Sequence, residues 1–291
     1  MKKHWIPIIA LLAGACQQES TVLQEQYEFP KKLKEVSGIT FDAKSEMLWA
    51  LADSGNPNKI YGLDKNGSIA KTCEITNATN TDWEDITQDK EGNIYIGDFG
   101  NNDNERKDLV IYKVDHSSLT DGKANAAYEI AFYYPEQKEF PPSRKELLYD
   151  VEGFFEHKGY FYLFTKNRSK KFDGTSLLYQ VPNKAGTHAA VLLGSLKTCD
   201  TYNHCAITSA TISPDGAKVA LLTHDKLILL EGYSNGNFLN GTQTNLELDH
   251  FSQKESAVFI DGDSILIADE KAGSDGGKLY KTSLKKLKSK S

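Results

Sequence analysis

Short apolar stretches alternate with polar positions along the whole chain, and almost nowhere do they continue at the period of an amphipathic helix. One arrangement recurs five times. Each copy opens with a short segment, at residues 37–41, 84–88, 152–156, 209–213 and 255–259. A turn such as Asp89-Lys-Glu-Gly92 or Ser213-Pro-Asp-Gly216 follows, with the residue types that tight hairpins need. An apolar strand ending in a polar residue comes next, at 48–53, 94–98, 161–166, 219–224 and 265–269. A third strand lies around Ile60, Ile111, Leu178, Ile228 and Leu279. Fourth strands are expected at 69–75, 127–133, 189–193 and 244–248, whereas the fifth copy runs into Lys285-Lys-Leu-Lys-Ser-Lys290 without one.

The copies start 47, 68, 57 and 46 residues apart, a spacing that suits four-stranded propeller blades with two loop insertions. The fold class is therefore all-β, a β-propeller of five blades, with six as the alternative. Residues 22–29 alternate, precede the first copy and have no other partner. They are expected to close the ring as the outer strand of the last blade, which removes an unpaired edge.

In such a blade the start of the first strand and the end of the second meet at one mouth of the central channel. The pattern thus pairs Ser37 with Asp53, Glu84 with Asp98, Glu152 with Lys166, Ser209 with His224 and Glu255 with Asp269. Asp82, Asp85, Asp150 and Glu270 stand beside them. So many carboxylates in a small volume require a cation, a basic ligand or raised pKa values. Asp53, Glu84, Asp98, Lys166, His224, Glu255 and Asp269 are the candidate ligand-binding residues, with Lys166 as the main internal counter-charge. The long insertion at 135–148 is placed to act as a lid.

Charge narrows the partners. The 291-residue chain has a formal net charge of −6, and Arg106, Arg144 and Arg168 are its only arginines, which argues against nucleic acid. Lys2 and Lys3, an apolar run at 5–13 and Gly14-Ala15-Cys16 read as an export signal. Ala13-Gly-Ala-Cys16 resembles the bacterial lipobox, so residues 1–15 are expected to be removed, Cys16 lipidated, 16–21 a tether and 22–291 a single propeller domain. Gln17 is not the aspartate that often retains lipoproteins at the inner membrane, which points to the outer membrane. In that oxidising compartment Cys199 and Cys205 are expected to bridge, leaving Cys73 as a buried thiol.

Several strings carry a resemblance: Asp82-Trp-Glu-Asp-Ile86, Ile96-Gly-Asp-Phe-Gly-Asn-Asn102, Ile111-Tyr-Lys-Val114, Asp150-Val-Glu-Gly153 and Tyr162-Leu-Phe-Thr-Lys-Asn167. They resemble the signatures of bacterial secreted propellers of largely unassigned function. More distantly the chain is similar to SdiA-regulated proteins and to gluconolactonase-like and phytase-like propellers. The gluconolactonase resemblance implies a calcium ion held by Glu152, with Asn167 as a companion ligand. The function expected is binding of a small ligand or a cell-envelope partner at the acidic mouth. The alternatives are a calcium-dependent hydrolase of a lactone, ester or phosphoester, and a glycosidase using Glu84, Glu152 and Glu255. No Gly-x-Ser-x-Gly, Walker or His-Glu-x-x-His motif is present.

Overall fold

The computed structural model describes residues 21–290; the export segment and Cys16 lie outside the described residues. A first strand, β1 (Gln24–Glu28), precedes the blades. The first blade holds β2 (Val36–Asp42), β3 (Met47–Ala52), β4 (Lys59–Leu63) and β5 (Ile69–Ile75). The second holds β6 (Trp83–Gln88), β7 (Ile94–Asp98), β8 (Val110–Val114) and, after the short β9 (Gly122–Ala124), β10 (Tyr128–Tyr133). The third holds β11 (Asp150–His157), β12 (Tyr160–Lys166), β13 (Thr175–Pro182) and, after β14 (Gly186–Ala189), β15 (Val191–Lys197). The short helix α1 (Tyr202–Cys205) leads to the fourth, with β16 (Ser209–Ile212), β17 (Lys218–Leu222), β18 (Lys226–Glu231) and β19 (Thr242–Glu247). The fifth holds β20 (Lys254–Phe259), β21 (Ser264–Asp269) and β22 (Lys278–Ser283), and α2 (Leu284–Lys288) follows. Among the described residues no helix is long and apolar enough to cross a membrane.

The sheet order β1-β22-β21-β20 makes the N-terminal strand the outer strand of the fifth blade, through antiparallel pairs such as Glu25 with Tyr280. The chain is thus an all-β propeller of five blades, and no sixth blade is assembled from the described residues. Two insertions do something the repeat pattern does not announce. Strand β9 pairs in parallel with β5, and β14 pairs in parallel with β10, so each covers the outer edge of the preceding blade. The fourth strand of blade three is accordingly shifted from the expected 189–193 to Val191–Lys197.

Both faces of each blade are buried, because each packs on a neighbour. Trp49 and Leu51 of β3 join a cluster with Ile86, Ile94 and Ile96 of blade two. Leu48, Ala50 and Ala52 of the same strand turn the other way, toward Val258, Leu266 and Ala268 of blade five. Period-two alternation here separates two cores, one on each side.

The inner strands meet around the channel, where their free backbone groups need partners. Side chains supply them. Ser37 Oγ donates to the Trp83 carbonyl at 2.7 Å, and Asp85 accepts the Phe154 N–H at 3.2 Å. Ser209 Oγ accepts the Ala257 N–H at 3.2 Å, and Ser256 Oγ accepts that of Ile39 at 2.8 Å. The remaining junction, between blades three and four, is closed by proximity: a Cβ on Gly153 would fall onto the Ala210 nitrogen and the Ser209 carbonyl carbon.

Candidate functional site

The mouth is built by a repeated local irregularity. In four of the five inner strands the ladder slips by one residue, between Val36 and Gly38, Trp83 and Asp85, Val151 and Gly153, and Lys254 and Ser256. The extra residues are Ser37, Glu84, Glu152 and Glu255. A β-bulge leaves its extra residue unpaired and re-aims the side chain. All four line one cavity of about 190 Å³ at the centre of the ring, with Glu35, Val36, Asp53, Asn102, Lys166, Arg168, Gln253 and Glu270.

Charge in this cavity is unevenly shared. Arg168, just past the end of β12, donates Nε to Asp150 Oδ2 at 2.6 Å and Nη2 to Glu152 Oε1 at 2.5 Å. Lys166 Nζ sits 3.1 Å from the other Glu152 oxygen. Asp150 also accepts the Asn101 N–H at 2.7 Å. Both basic side chains of the cavity are therefore directed at one corner. Opposite them, Asp53 and Glu35 share the Asn56 amide, at 3.2 and 2.9 Å, Glu35 also pairs with the exposed Lys34 ammonium at 2.8 Å, and Glu270 accepts from Gln253. Glu84 has no hydrogen bond or ion pair among the described residues, yet its carboxylate lies with those of Asp150 and Glu152 in a group whose oxygens fall within 4.8 Å of one another.

The protonation states follow from this distribution. Burial disfavours the Glu152 carboxylate, but the Lys166 and Arg168 charges outweigh it and hold its pKa below the ordinary value. Glu84 is pushed well up, by enclosure first and then by Glu152 and Asp150. Glu255 rises to about 8, where burial and the charges of Glu152 and Glu270 overcome the attraction of Lys166. Asp53 rises to about 7 through desolvation, Glu270 and Glu35. His224, 3.8 Å from Glu255, falls to about 4, because burial and the nearby Lys166 and Lys254 oppose its charge. The mouth thus stores protons where it cannot store charge.

Some expected members stand elsewhere. Asp98 does not line the cavity: it accepts the Asp82 N–H at 3.0 Å and pairs with Arg106 Nη2 at 3.0 Å, pinning the loop at 99–106. Asp269 is wholly buried and accepts the Lys278 N–H at 2.7 Å and the Tyr280 hydroxyl at 3.1 Å, so it fixes the entry to β22. Asp85 lies below the mouth as an inter-strand link. The 135–148 segment is hydrogen-bonded to its neighbours, with Gln137 donating to the Asn104 carbonyl at 2.8 Å and Leu147 accepting the Arg168 N–H at 2.8 Å. Lys166 is not alone as counter-charge, since Arg168 shares that role. Cys199 and Cys205 are disulfide-bonded with Cα atoms 5.5 Å apart, and Cys73 is a buried free thiol.

Sequence reasoning passed over Arg168 and Lys254. Continuing the strand alternation two residues past Lys166 would have placed Arg168 on the same face. Lys254 is fully buried, its ammonium held by the carbonyls of His224 at 3.0 Å and His250 at 2.8 Å, by Ser252 Oγ at 2.9 Å and by His250 Nδ1 at 3.0 Å. With no carboxylate in contact, burial draws its pKa down to about 8.

The implied calcium site does not fit these residues. Both oxygens of Glu152 are already engaged by cationic groups, which a divalent ion would have to displace. Asn167 is buried but does not line the cavity, its amide donating to Asp173 at 3.1 Å and its oxygen accepting the Ser169 N–H at 2.8 Å.

Residues 15–139 match the family model described as SdiA-regulated. No protein of curated function matches the chain. Among solved structures, the chain is similar to a catalytically inactive virginiamycin B lyase from Staphylococcus aureus with quinupristin, at 14% identity and a TM-score of 0.42, covering 86% of this chain and 66%, just under two thirds, of that one. It is also similar to the PQQ-bound aldose sugar dehydrogenase from Streptomyces coelicolor, at 9% identity and a TM-score of 0.49, covering 89% and 97%. A chain of the nidogen/laminin complex matches at 13% identity and a TM-score of 0.46, covering 87% and 81%. The chain is a five-bladed β-propeller whose first part is similar to the SdiA-regulated family.

Proposed function

We propose that this protein is a lipid-anchored, extracytoplasmic propeller that binds a small ligand carrying a cationic group at its acidic mouth. The observation that carries this reading is the imbalance of the cavity. Six carboxylates line it, from Glu35, Asp53, Glu84, Glu152, Glu255 and Glu270, while its only two basic side chains, Lys166 and Arg168, converge on Glu152. An ammonium or guanidinium entering among Asp53, Glu84, Glu255 and Glu270 would offset the burial and mutual repulsion that raise their pKa values. The Cys199–Cys205 bridge suits an oxidising compartment. Phe251, exposed beside His224 with ring centroids 5.8 Å apart, offers an aromatic face near the acidic rim.

Calorimetric titration with putrescine and with choline tests the proposal. Binding of either should tighten as pH rises from 6 to 8.5, because the acids must release protons to receive a cation, and Glu255→Gln with Asp53→Asn should weaken it. Absence of heat from both probes at millimolar concentration and pH 8.5 would remove the cationic-ligand reading.

A further inference from the structure

At the opposite end of the channel, where the five hairpin turns meet, lies a second and larger cavity of about 670 Å³. Its volume falls within the range of ordinary small-molecule sites. The chemistry differs from that of the mouth. Val258 and Thr211 are buried in its floor, and Phe41, Ile212 and Ile260 present half-buried apolar surface around them. The rim carries Lys44, Lys90 and Lys158 together with Asp42, Asp89, Glu91 and Glu156.

Most of those acids are used inside their own turns. Asp42 accepts the Lys44 N–H at 2.9 Å and the Ser45 hydroxyl at 2.6 Å, with His116 3.3 Å away. Asp89 accepts the Asn93 N–H and side-chain amide at 2.9 and 2.8 Å and the Tyr95 hydroxyl at 2.9 Å. Glu156 accepts the Gly159 N–H at 2.6 Å, and burial, Asp89 and Glu91 push its pKa upward, away from charge. Lys44 donates to the Glu91 carbonyl at 3.1 Å. Lys90 and Lys158, from adjacent blades, take part in no ion pair among the described residues. Both stand near His157, whose pKa is drawn down by burial and by these two charges. An apolar floor under two uncommitted ammonium groups is complementary to a molecule with an apolar body and one acidic group.

We propose that this cavity is a second binding site, for a small amphipathic carboxylate. The apolar part would rest on Phe41, Ile212, Val258 and Ile260, and the carboxylate would lie between Lys90 and Lys158. This site is independent of the mouth: the two lie at opposite ends of the inner strands, and their lining residues do not overlap.

Two isosteric probes of opposite charge test it, 1-naphthoate and 1-naphthylmethylammonium, titrated calorimetrically into the protein carrying Asp53→Asn and Glu255→Gln, so that the cationic probe does not report the acidic mouth. The expected result is one naphthoate per chain, with the ammonium probe weaker by about tenfold or more, the value of one charge-assisted hydrogen bond. The double variant Lys90→Gln, Lys158→Gln should bind naphthoate less tightly by a similar factor. Both lysines are exposed, so this variant is expected to keep the parent melting temperature. Ile212→Asn should weaken both probes together. Equal affinity for the two probes, unchanged naphthoate binding in the double-lysine variant, or no heat with naphthoate at millimolar concentration would overturn the proposal.

Discussion

Arg168 Nη2 lies 2.5 Å from Glu152 Oε1, so a guanidinium from the end of one strand neutralises a bulge residue of the strand beside it. Removing it leaves Glu84, Asp150 and Glu152 facing one another with Lys166 alone. Arg168→Ala should cost about 3 kcal/mol, as for breaking a largely buried pair, and is measured by urea unfolding. The same change vacates the place a divalent ion would need. Calcium at millimolar concentration should leave the melting temperature of the parent unchanged and raise that of Arg168→Ala. A calcium shift in the parent abolished by Glu152→Gln would restore the calcium reading.

Stability should fall as pH rises from about 6.5 to 8. Asp53 and Glu255 have folded pKa values of about 7 and 8, above their unfolded values, so the folded state binds the extra protons and loses stability as they leave. Two groups act oppositely outside this window. His224, depressed to about 4, withdraws stability as pH falls below its unfolded value, and Lys254, depressed to about 8, adds stability as pH rises toward its unfolded value. Within the window the enclosed Glu255 alone contributes about 1–2 kcal/mol. Glu255→Gln should flatten the profile of melting temperature against pH; an unchanged profile would assign the raised pKa elsewhere.

Gly153→Ala should destabilise by about 1–3 kcal/mol or more, since the added methyl meets backbone of the next inner strand rather than a side chain that can move. Gly159→Ala, at a turn with open space, is the contrasting variant. Its positive φ of 80° brings its own strain, so the comparison is of packing with torsion. Circular dichroism melts of both variants separate the two.

Deleting residues 21–29 should lower stability by about 3–6 kcal/mol from the burial of Val22 and Leu23 alone, before the lost ladder is counted. Truncation after Lys288 removes no ladder and should cost far less. A protein starting at Pro30 that melts with the parent would remove the strand from any closing role.

Cys16→Ser should release the protein from membranes and remove the acyl mass from the mature N-terminus, as read by mass spectrometry and fractionation. Unchanged membrane retention would refute lipid anchoring.

The repeat was readable because each inner strand starts with the same kind of residue and each second strand ends in a polar one. That reasoning placed Glu84, Glu152, Glu255, Asp53 and Lys166 around one cavity. It failed where a polar strand end had two possible partners. Asp98 and Asp269 occupy the position of Lys166 in their blades, yet Asp98 is satisfied by the Asp82 N–H and Arg106, and Asp269 by the Lys278 N–H and the Tyr280 hydroxyl. The bulges were hidden for a different reason: one extra residue changes register without changing composition, and only the ladder reveals that Asp150, not Glu152, sits opposite Lys166. Strands β9 and β14 were missed because so few residues carry no period of their own, and an already formed edge recruits them.

Of the described strands, β1 is the first to leave the ribosome, and its partner β22 is the last. Within each of the first four blades the core strands lie close in sequence and can pair as they emerge, whereas closure must bring Glu25 to Tyr280. A nascent chain therefore passes through an open arc with a waiting strand at its head. The ring snaps shut in one late, long-range event, and any chain halted before residue 278 stays an unlatched bracelet.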